Sequence, residues 1–328
     1  MLKSGVDTRL ILLCTDDNHP NTLVNEGGMD RALRAVLECG CDPVTALQFA
    51  TINAAQCLGV DQDMGSVTPG KCADMVLLPD LESFVPDMVF IDGEKVAEAG
   101  RPLFDHELFE WPDFMTHTMN VGRDFTAADF RIPVDHADGT CRVRAIGGVG
   151  GSTITEDAII EVPVVDGCLQ ANPEADALKM AVFDRHHGAE GTHSYGFCTG
   201  FGVHGALAQT VSHDSHNLLV VGDNDEDMAL AAQTLVECGG GEVAVADGKV
   251  LALVELPVCG LMSDRHVDEV AKQVADIEEA WRQMGCKMPS PFMTMGILSL
   301  PCVPVLRLTN RGYVNCLTFQ FEDLVVED

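Results

Sequence analysis

The stretch Leu10-Ile11-Leu12-Leu13-Cys14-Thr15-Asp16-Asp17-Asn18-His19-Pro20 decides how the rest of the chain is read. Four apolar residues in a row predict a buried strand, and Pro20, which cannot donate to a ladder, ends it. Two carboxylates and a histidine follow at once. In parallel α/β barrels the reactive groups sit where strands end and loops begin, so Asp16 stands where a catalytic residue would. The same residues are also good turn chemistry, and an ordinary Asp-rich turn remains an open reading.

Outward from this stretch, residues 29–39 place apolar side chains at helical spacing, with Gly40 as the expected C-cap. Asp42 and Pro43 then open a helix, as N-cap and first helical residue, predicted to run to about Leu58 and stop at Gly59. Residues 61–102 switch to period two. Ala73–Leu78 and Met88–Ile91 read as strands, and Asp92-Gly93 as a hairpin turn. Residues 103–132 carry Phe104, Phe109, Trp111, Phe114, Phe125 and Phe130 among polar residues, expected to anchor the connection to its neighbours. Farther on, Thr140–Ile146, Ala158–Val165, Ala206–Val211 and Asn217–Gly222 read as strands. Asp225–Cys238 and Val267–Met284 read as helices, and Glu242–Ala252 as a hairpin about Asp247-Gly248. Strands, hairpins and helices mixed in this way predict α/β and α+β layers.

Composition bounds the function. Apolar residues make up 46% of 328, enough for a sizeable core in about two domains. Lys and Arg total 20 against 51 Asp and Glu, a net charge of −31, which opposes nucleic acid and anionic membranes but not a neutral base. No apolar run reaches membrane length, and Met1–Asp7 lacks the core of a signal peptide, so a cytoplasmic protein is expected. The 13 cysteines are scattered and odd in number, which fits reduced thiols used as small core residues.

Several segments together resemble the amidohydrolase superfamily, and within it the adenine deaminase family. They are the opening stretch, Asp42–Ala55, Gly65–Leu78, Ser212-His213-Asp214-Ser215-His216-Asn217 and Leu256–Ser263, in the family's order. The resemblance implies three parts. Residues 1–60 would be the last strand and helices of a (β/α) barrel, residues 61–118 a β-sandwich segment and bridge, and residues 119–328 a mixed α/β C-terminal domain. It also implies a reaction: adenine plus water gives hypoxanthine plus ammonia. Asp16 would be metal ligand and proton shuttle, with Asp17 and His19 lining the same loop against adenine. The cofactor would be a divalent metal, Mn or Fe, with Zn as a further choice. A hydrogen-bonding turn remains the other reading for Asp17 and His19.

His213, Asp214 and His216 form the densest polar cluster of the second half. They are expected either to bind a metal or shape the purine pocket, or to fix a hydrogen-bonded loop. Asp184-Arg185-His186-His187-Gly188 is a weaker cluster, read as solvated or interfacial. His193 and the glycines up to Gly202 resemble a loop leading to the histidine cluster. The family's His-x-His pair is missing from these 328 residues, and Gly28 stands where the family usually carries histidine. A two-metal site needs several fixed ligands. The expectation is therefore a C-terminal part, inactive alone, that works with an N-terminal barrel fragment and assembles as a homo-oligomer. The alternative is a non-catalytic purine-binding or scaffold remnant.

Overall fold

The computed structural model describes residues 5–105, 108–147, 152–288 and 290–326; Met1–Ser4 of the N-terminal stretch lie outside the described residues. The chain divides into two units, Met1–Leu108 and Phe109–Asp328. The segments read as 1–60 and 61–118 thus share the first unit, except that residues 109–118 belong to the second.

The first unit holds α1 (Pro20–Asn25), α2 (Met29–Glu38), α3 (Pro43–Ala50) and α4 (Ile52–Leu58). They are followed by strands β1 (Met75–Leu77), β2 (Met88–Ile91), β3 (Glu94–Glu98) and β4 (Arg101–Pro102). Asp42 caps α3 by accepting the Thr45 amide at 3.0 Å, and Pro43 sits inside the first turn. The predicted single helix is two helices, broken at Thr51, and α4 ends at Gly59 in the left-handed region. The four strands pair in order as one antiparallel sheet, with Asp92 and Gly93, both at positive φ, making the β2–β3 turn.

The expected strand at Leu10–Leu13 does not form. Thr8–Leu10 is a single 3₁₀ turn, and the residues after it are extended without a ladder partner among the described residues. Leu10 is 87% exposed and Leu12 is exposed, while Ile11 and Leu13 pack against Leu33, Ala46, Phe49 and Phe84. An apolar run becomes a strand only when a neighbour takes up its backbone groups. Here α3 and α4 do so in part: Asn53 Nδ2 donates to the Thr8 and Ile11 carbonyls, both at 2.9 Å, and the Leu13 amide donates to Phe49 O at 3.2 Å.

The second unit begins with α5 (Asp113–Thr116) and the strands β5 (Ile132–Pro133), β6 (Gly139–Gly147), β7 (Glu156–Val165), β8 (Cys168–Leu169), β9 (Leu178–Phe183) and β10 (His193–Cys198). It continues with β11 (Ala206–Gln209), β12 (Leu218–Gly222), α6 (Asp225–Cys238), β13 (Gly241–Ala246), β14 (Lys249–Glu255) and α7 (Val267–Gln283). Last come α8 (Pro291–Gly296), β15 (Leu306–Thr309), β16 (Gly312–Asn315) and β17 (Gln320–Glu322).

Ten strands make one sheet in the order β14-β13-β11-β12-β9-β10-β6-β7-β8-β5. Its pairings are antiparallel apart from β6 with β10. Alternate residues of a strand face opposite ways. Met180, Val182, Leu207, Leu219 and Ala244 therefore meet Val274, Ile277 and Trp281 of α7 and Phe292 and Met295 of α8 on one face. Ala181, Phe183, Ala208, Val220 and Val243 meet Met228, Ala232 and Leu235 of α6 on the other. The result is a helix–sheet–helix sandwich, closed off by the small antiparallel sheet β15-β16-β17.

Beyond β17, Arg144 N–H donates to Leu324 O at 2.8 Å and Val326 N–H to Arg142 O at 3.0 Å, laying residues 324–326 along the edge of β6. Of the bridge aromatics, Phe125 and Phe130 are buried against Phe183, with ring centroids 4.8 and 5.5 Å away. Phe104, Phe109 and Phe114 are exposed instead of anchored. All 13 cysteines are free thiols.

Candidate functional site

Two loops carry the residues singled out from sequence, one in each unit. The first follows the extended segment held by Asn53. Asp16 takes positive φ, +54°, a conformation that favours glycine. Its Oδ1 accepts the Asp17 amide at 2.8 Å and its carbonyl accepts Asn18 Nδ2 at 3.2 Å, so the loop is held by hydrogen bonds among its own neighbouring residues. The Asp16 and Asp17 side chains are exposed. His19 is the half-buried residue that opens α1, and its carbonyl accepts the Leu23 amide at 3.0 Å.

Gly28 opens α2. A Cβ there would meet only Leu23 Cδ2, at 3.6 Å, so the backbone has room for a side chain. The turn before it is held by Asp30, which accepts the Gly28 amide at 2.9 Å and pairs with Arg34 at 2.9 Å.

The second loop joins the neighbouring strands β11 and β12. It is longer than a hairpin turn, and its backbone is satisfied from three sides. His213 N–H donates to Gly296 O at 2.9 Å, the end of α8. Ser299 Oγ donates to His213 O at 3.2 Å and bonds Ser212 Oγ. His216 N–H closes a turn onto Ser212 O at 2.6 Å. The His213 and His216 rings lie edge to face with centroids 5.9 Å apart. Gly296 supplies the space beside them, because a Cβ there would sit 3.3 Å from His213 Cδ2.

Asp214 does not join the pair. Its side chain is 79% exposed, and Oδ1 stands 3.7 Å from His213 Nδ1. His216 Nδ1 is buried without a hydrogen-bond partner among the described residues. Burial is the chief cause holding the His216 imidazole below its ordinary value, and the nearby His213 and Arg185 act in the same direction. Among the described residues no three His, Cys, Asp or Glu side chains converge as a metal-holding group.

The weaker sequence cluster proves partly structural. Asp184 accepts the amides of His186 and His187 at 2.8 and 3.2 Å, and His187 Nδ1 at 2.8 Å. His186 Nε2 donates to Ser215 O at 2.9 Å, so this turn flanks the histidine loop. Arg185, read as solvated or interfacial, is fully buried and donates from Nε to His216 O at 2.5 Å.

His193–Cys198 is strand β10 and not a loop leading to the histidines. Its Gly196 is needed for close approach, since a Cβ would lie 2.4 Å from Tyr313 Oη. The following Gly200 and Gly202 amides donate to the Asp176 carboxylate at 2.6 and 2.7 Å. A separate cavity of about 570 Å³, lined among others by Glu278, Trp281, Cys286 and Met288, includes none of the residues predicted from sequence.

Comparison with known proteins is decisive for family. Residues 152–320 match the model of the adenine deaminase C-terminal domain, and residues 1–96 match the amidohydrolase family. An adenine deaminase of Clostridium botulinum (strain Loch Maree / Type A3) is 47% identical over 324 residues, covering 98% of this chain and 54% of that protein. One from Moorella thermoacetica is 47% identical over 326 residues, and one from Paracoccus denitrificans is 41% identical over 327; each alignment covers 99% of this chain and 54% of the relative. The chain thus spans about half the length of the curated relatives it matches.

Proposed function

The chain belongs to the adenine deaminase family, and on that premise we propose that it supplies the C-terminal part of an enzyme converting adenine and water to hypoxanthine and ammonia. The observation that carries the proposal is the match to adenine deaminases over 98–99% of this chain. The other part is an N-terminal portion of the kind those relatives contain, which would provide the barrel. Subunits of this kind are expected to associate into a homo-oligomer. Residues 1–60 would complete the barrel with their helices and the extended segment that leads to Asp16. No helix in the described residues is long and apolar enough to cross a membrane.

Among the described residues the donor set does not by itself fit a metal centre, because no three candidate ligands converge. A divalent ion, Mn or Fe or Zn, with Asp16 as one ligand therefore needs further donors from outside these residues. His213, Asp214 and His216 would offer at most two neighbouring imidazoles and one solvent-facing carboxylate.

The step assigned to this chain is proton transfer. Water would add to C6 of adenine through its oxygen as the C6–N1 double bond opens onto N1, and the carboxylate of Asp16 would accept one water proton. That proton passes to the exocyclic nitrogen, the remaining hydroxyl proton ends on N1, and the bond from C6 to the exocyclic nitrogen breaks to release ammonia as the C6 carbonyl forms. Positioned acid–base groups of this kind contribute about 10²–10⁴-fold to rate. Asp17 and His19 would border the purine on the same loop.

The test is ammonia release from adenine, with Mn or Fe present, by this chain alone and with the N-terminal half of the Moorella relative supplied. No turnover alone and turnover with the added half are expected, together with a loss of about a hundredfold or more in Asp16→Ala. Full activity from the chain alone refutes the dependence on a partner half. No turnover in either case favours the scaffold reading.

A further inference from the structure

In the second unit, the turn that leads into β15 and the end of β16 bring two thiols beside one buried cation. Cys302 is exposed on that turn, and Cys316 is buried just past β16. The pairing of Leu306 with Asn315 is continued by the Cys316 amide, which donates to Val305 O at 2.8 Å. Arg307 of β15 folds back over the same turn. Its Nε donates to Val303 O at 2.9 Å, and Nη2 donates to Pro304 O at 3.0 Å and to Thr153 O at 2.5 Å.

The Arg307 side chain is fully buried, and its Nη1 has no hydrogen-bond partner among the described residues. A cation held out of water with a donor left over is costly unless a negative charge joins it. The two cysteines can supply one. Burial pulls the Arg307 guanidinium below its ordinary value, and thiolates at Cys316 and Cys302 act against that pull. Burial likewise pushes the Cys316 thiol up, Arg307 draws it back, and a charge on Cys302 raises it again. The three groups thus stand within electrostatic reach of one another.

We propose that Cys302 and Cys316 form a redox-sensitive dithiol, which a hydroperoxide closes to a disulfide, with Arg307 as the fixed cation beside the reacting sulfurs. Exposure assigns the order of events, because Cys302 meets the oxidant and Cys316 is shielded from it. The Cys302 thiolate attacks one peroxide oxygen, and the O–O bond breaks. The released hydroxide takes up the proton that Cys302 gave and leaves as water. Cys316 sulfur then attacks the sulfenic sulfur of Cys302, and the S–S bond forms as the S–O bond breaks. The departing hydroxide takes the Cys316 proton as a second water. Two thiols are oxidised and one peroxide is reduced to two waters. The spare Nη1 donor favours the thiolate and the departing hydroxide alike. The product staples the turn to the end of β16. The same turn is tied to the start of β7, where the Val305 amide donates to Thr155 Oγ1 at 3.1 Å.

The test treats the full, fully reduced chain with hydrogen peroxide, blocks the remaining thiols by alkylation, and reads intact mass and the linked peptides. Wild type, Cys302→Ser, Cys316→Ser and Arg307→Lys are compared. In the wild type the first disulfide formed is expected to join Cys302 to Cys316, with a loss of about 2 Da that dithiothreitol reverses. The urea midpoint of the oxidised form should rise. Cys302→Ser should form no disulfide at Cys316. Cys316→Ser should stop at the Cys302 sulfenic acid, which dimedone traps. Arg307→Lys should close the disulfide about tenfold more slowly.

Peroxide that leaves both thiols open to alkylation overturns the proposal. So does oxidation that ends at Cys302 with Cys316 untouched, or a first disulfide that joins either residue to another cysteine. An unchanged closing rate in Arg307→Lys removes the part given to the guanidinium. If the variants at the buried positions do not fold, the wild type and Cys302→Ser, altered only at an exposed residue, decide. Adenine turnover is not read, so the outcome is separate from that of the proposed function.

Discussion

Replacing Glu242 with glutamine should remove a pH-dependent weakness from the second unit. Glu242 lies on β13 directly opposite Gln209 of β11 and shares a strand face with Ala244, which packs under α7. It is only 8% exposed. Burial, with Glu278 of α7 adding a smaller repulsion, pushes its carboxyl from an ordinary 4.5 to about 8. The unfolded chain therefore loses this proton near pH 4.5, but the folded chain keeps it until about pH 8. Between those values the folded state binds more protons, so stability falls as pH rises, by about 1.4 kcal/mol per pH unit.

The stabilising contribution of the neutral acid is complete below pH 4.5 and gone above about 8. The full swing is at most about 5 kcal/mol, of which about 3 is lost by neutral pH. Gln is nearly isosteric and does not titrate. Urea unfolding of wild type and Glu242→Gln, followed by the fluorescence of buried Trp281, should give curves that nearly coincide at pH 5. The glutamine variant should then gain steadily toward pH 8. Groups common to both proteins cancel in the difference. A difference that stays flat from pH 5 to 8 would show that Glu242 is already ionised in the folded state, and the reasoning from burial would be wrong.

Three further substitutions probe the scaffold. Tyr313→Phe removes a hydroxyl that accepts the Phe197 amide at 2.6 Å and donates toward the Phe197 and Arg144 carbonyls, each 3.0 Å away. The orphaned amide should cost about 1–3 kcal/mol in urea unfolding, and a loss below experimental error would count against the bond. Asp227→Ala frees the amides of Asp247 and Gly248, bound at 3.2 and 2.8 Å, and also unties the Asn224 cap of α6. A drop of about 2 kcal/mol is expected, with faster amide exchange in the β13–β14 turn as the distinguishing sign. Asp42→Ala should weaken α3 by about 1 kcal/mol, read from the thermal midpoint, with Asp42→Asn close to wild type.

Much of the architecture was legible because its signals are local. Asp42-Pro43 at a helix start, Asp92-Gly93 and Asp247-Gly248 between strands, and Gly239 after α6 each act within a few residues. The Leu10–Leu13 run misled because apolarity alone does not supply a ladder partner, and exposed Leu10 shows that burial does not follow from composition. Strand β9 escaped notice because Leu178–Phe183 is continuous and contains Lys179. That lysine is accommodated by an ion pair with Asp225, far along the chain, at 2.5 Å. In the second loop, Ser212–Asn217 stood out as the densest polar cluster, but residue types did not tell that the His213 and His216 rings would meet while Asp214 faces solvent. Nor was the burial of Arg185 legible, since most of its acceptors are main-chain carbonyls, those of Thr118, His216 and Cys259, and a carbonyl leaves no trace in residue type.

The seating of residues 324–326 beside β6 bears on how the second unit comes into being. Strand β10 reaches β6 only at Ile146, so the stretch around Arg142–Arg144 is completed by segments made much later in synthesis. Until those residues emerge from the ribosome, a run of unpaired amides and carbonyls stays available to any other nascent strand. Docking of this segment is thus a late step in completing the sheet of the second unit. Deleting residues 324–326 should harm yield and solubility before it harms anything else.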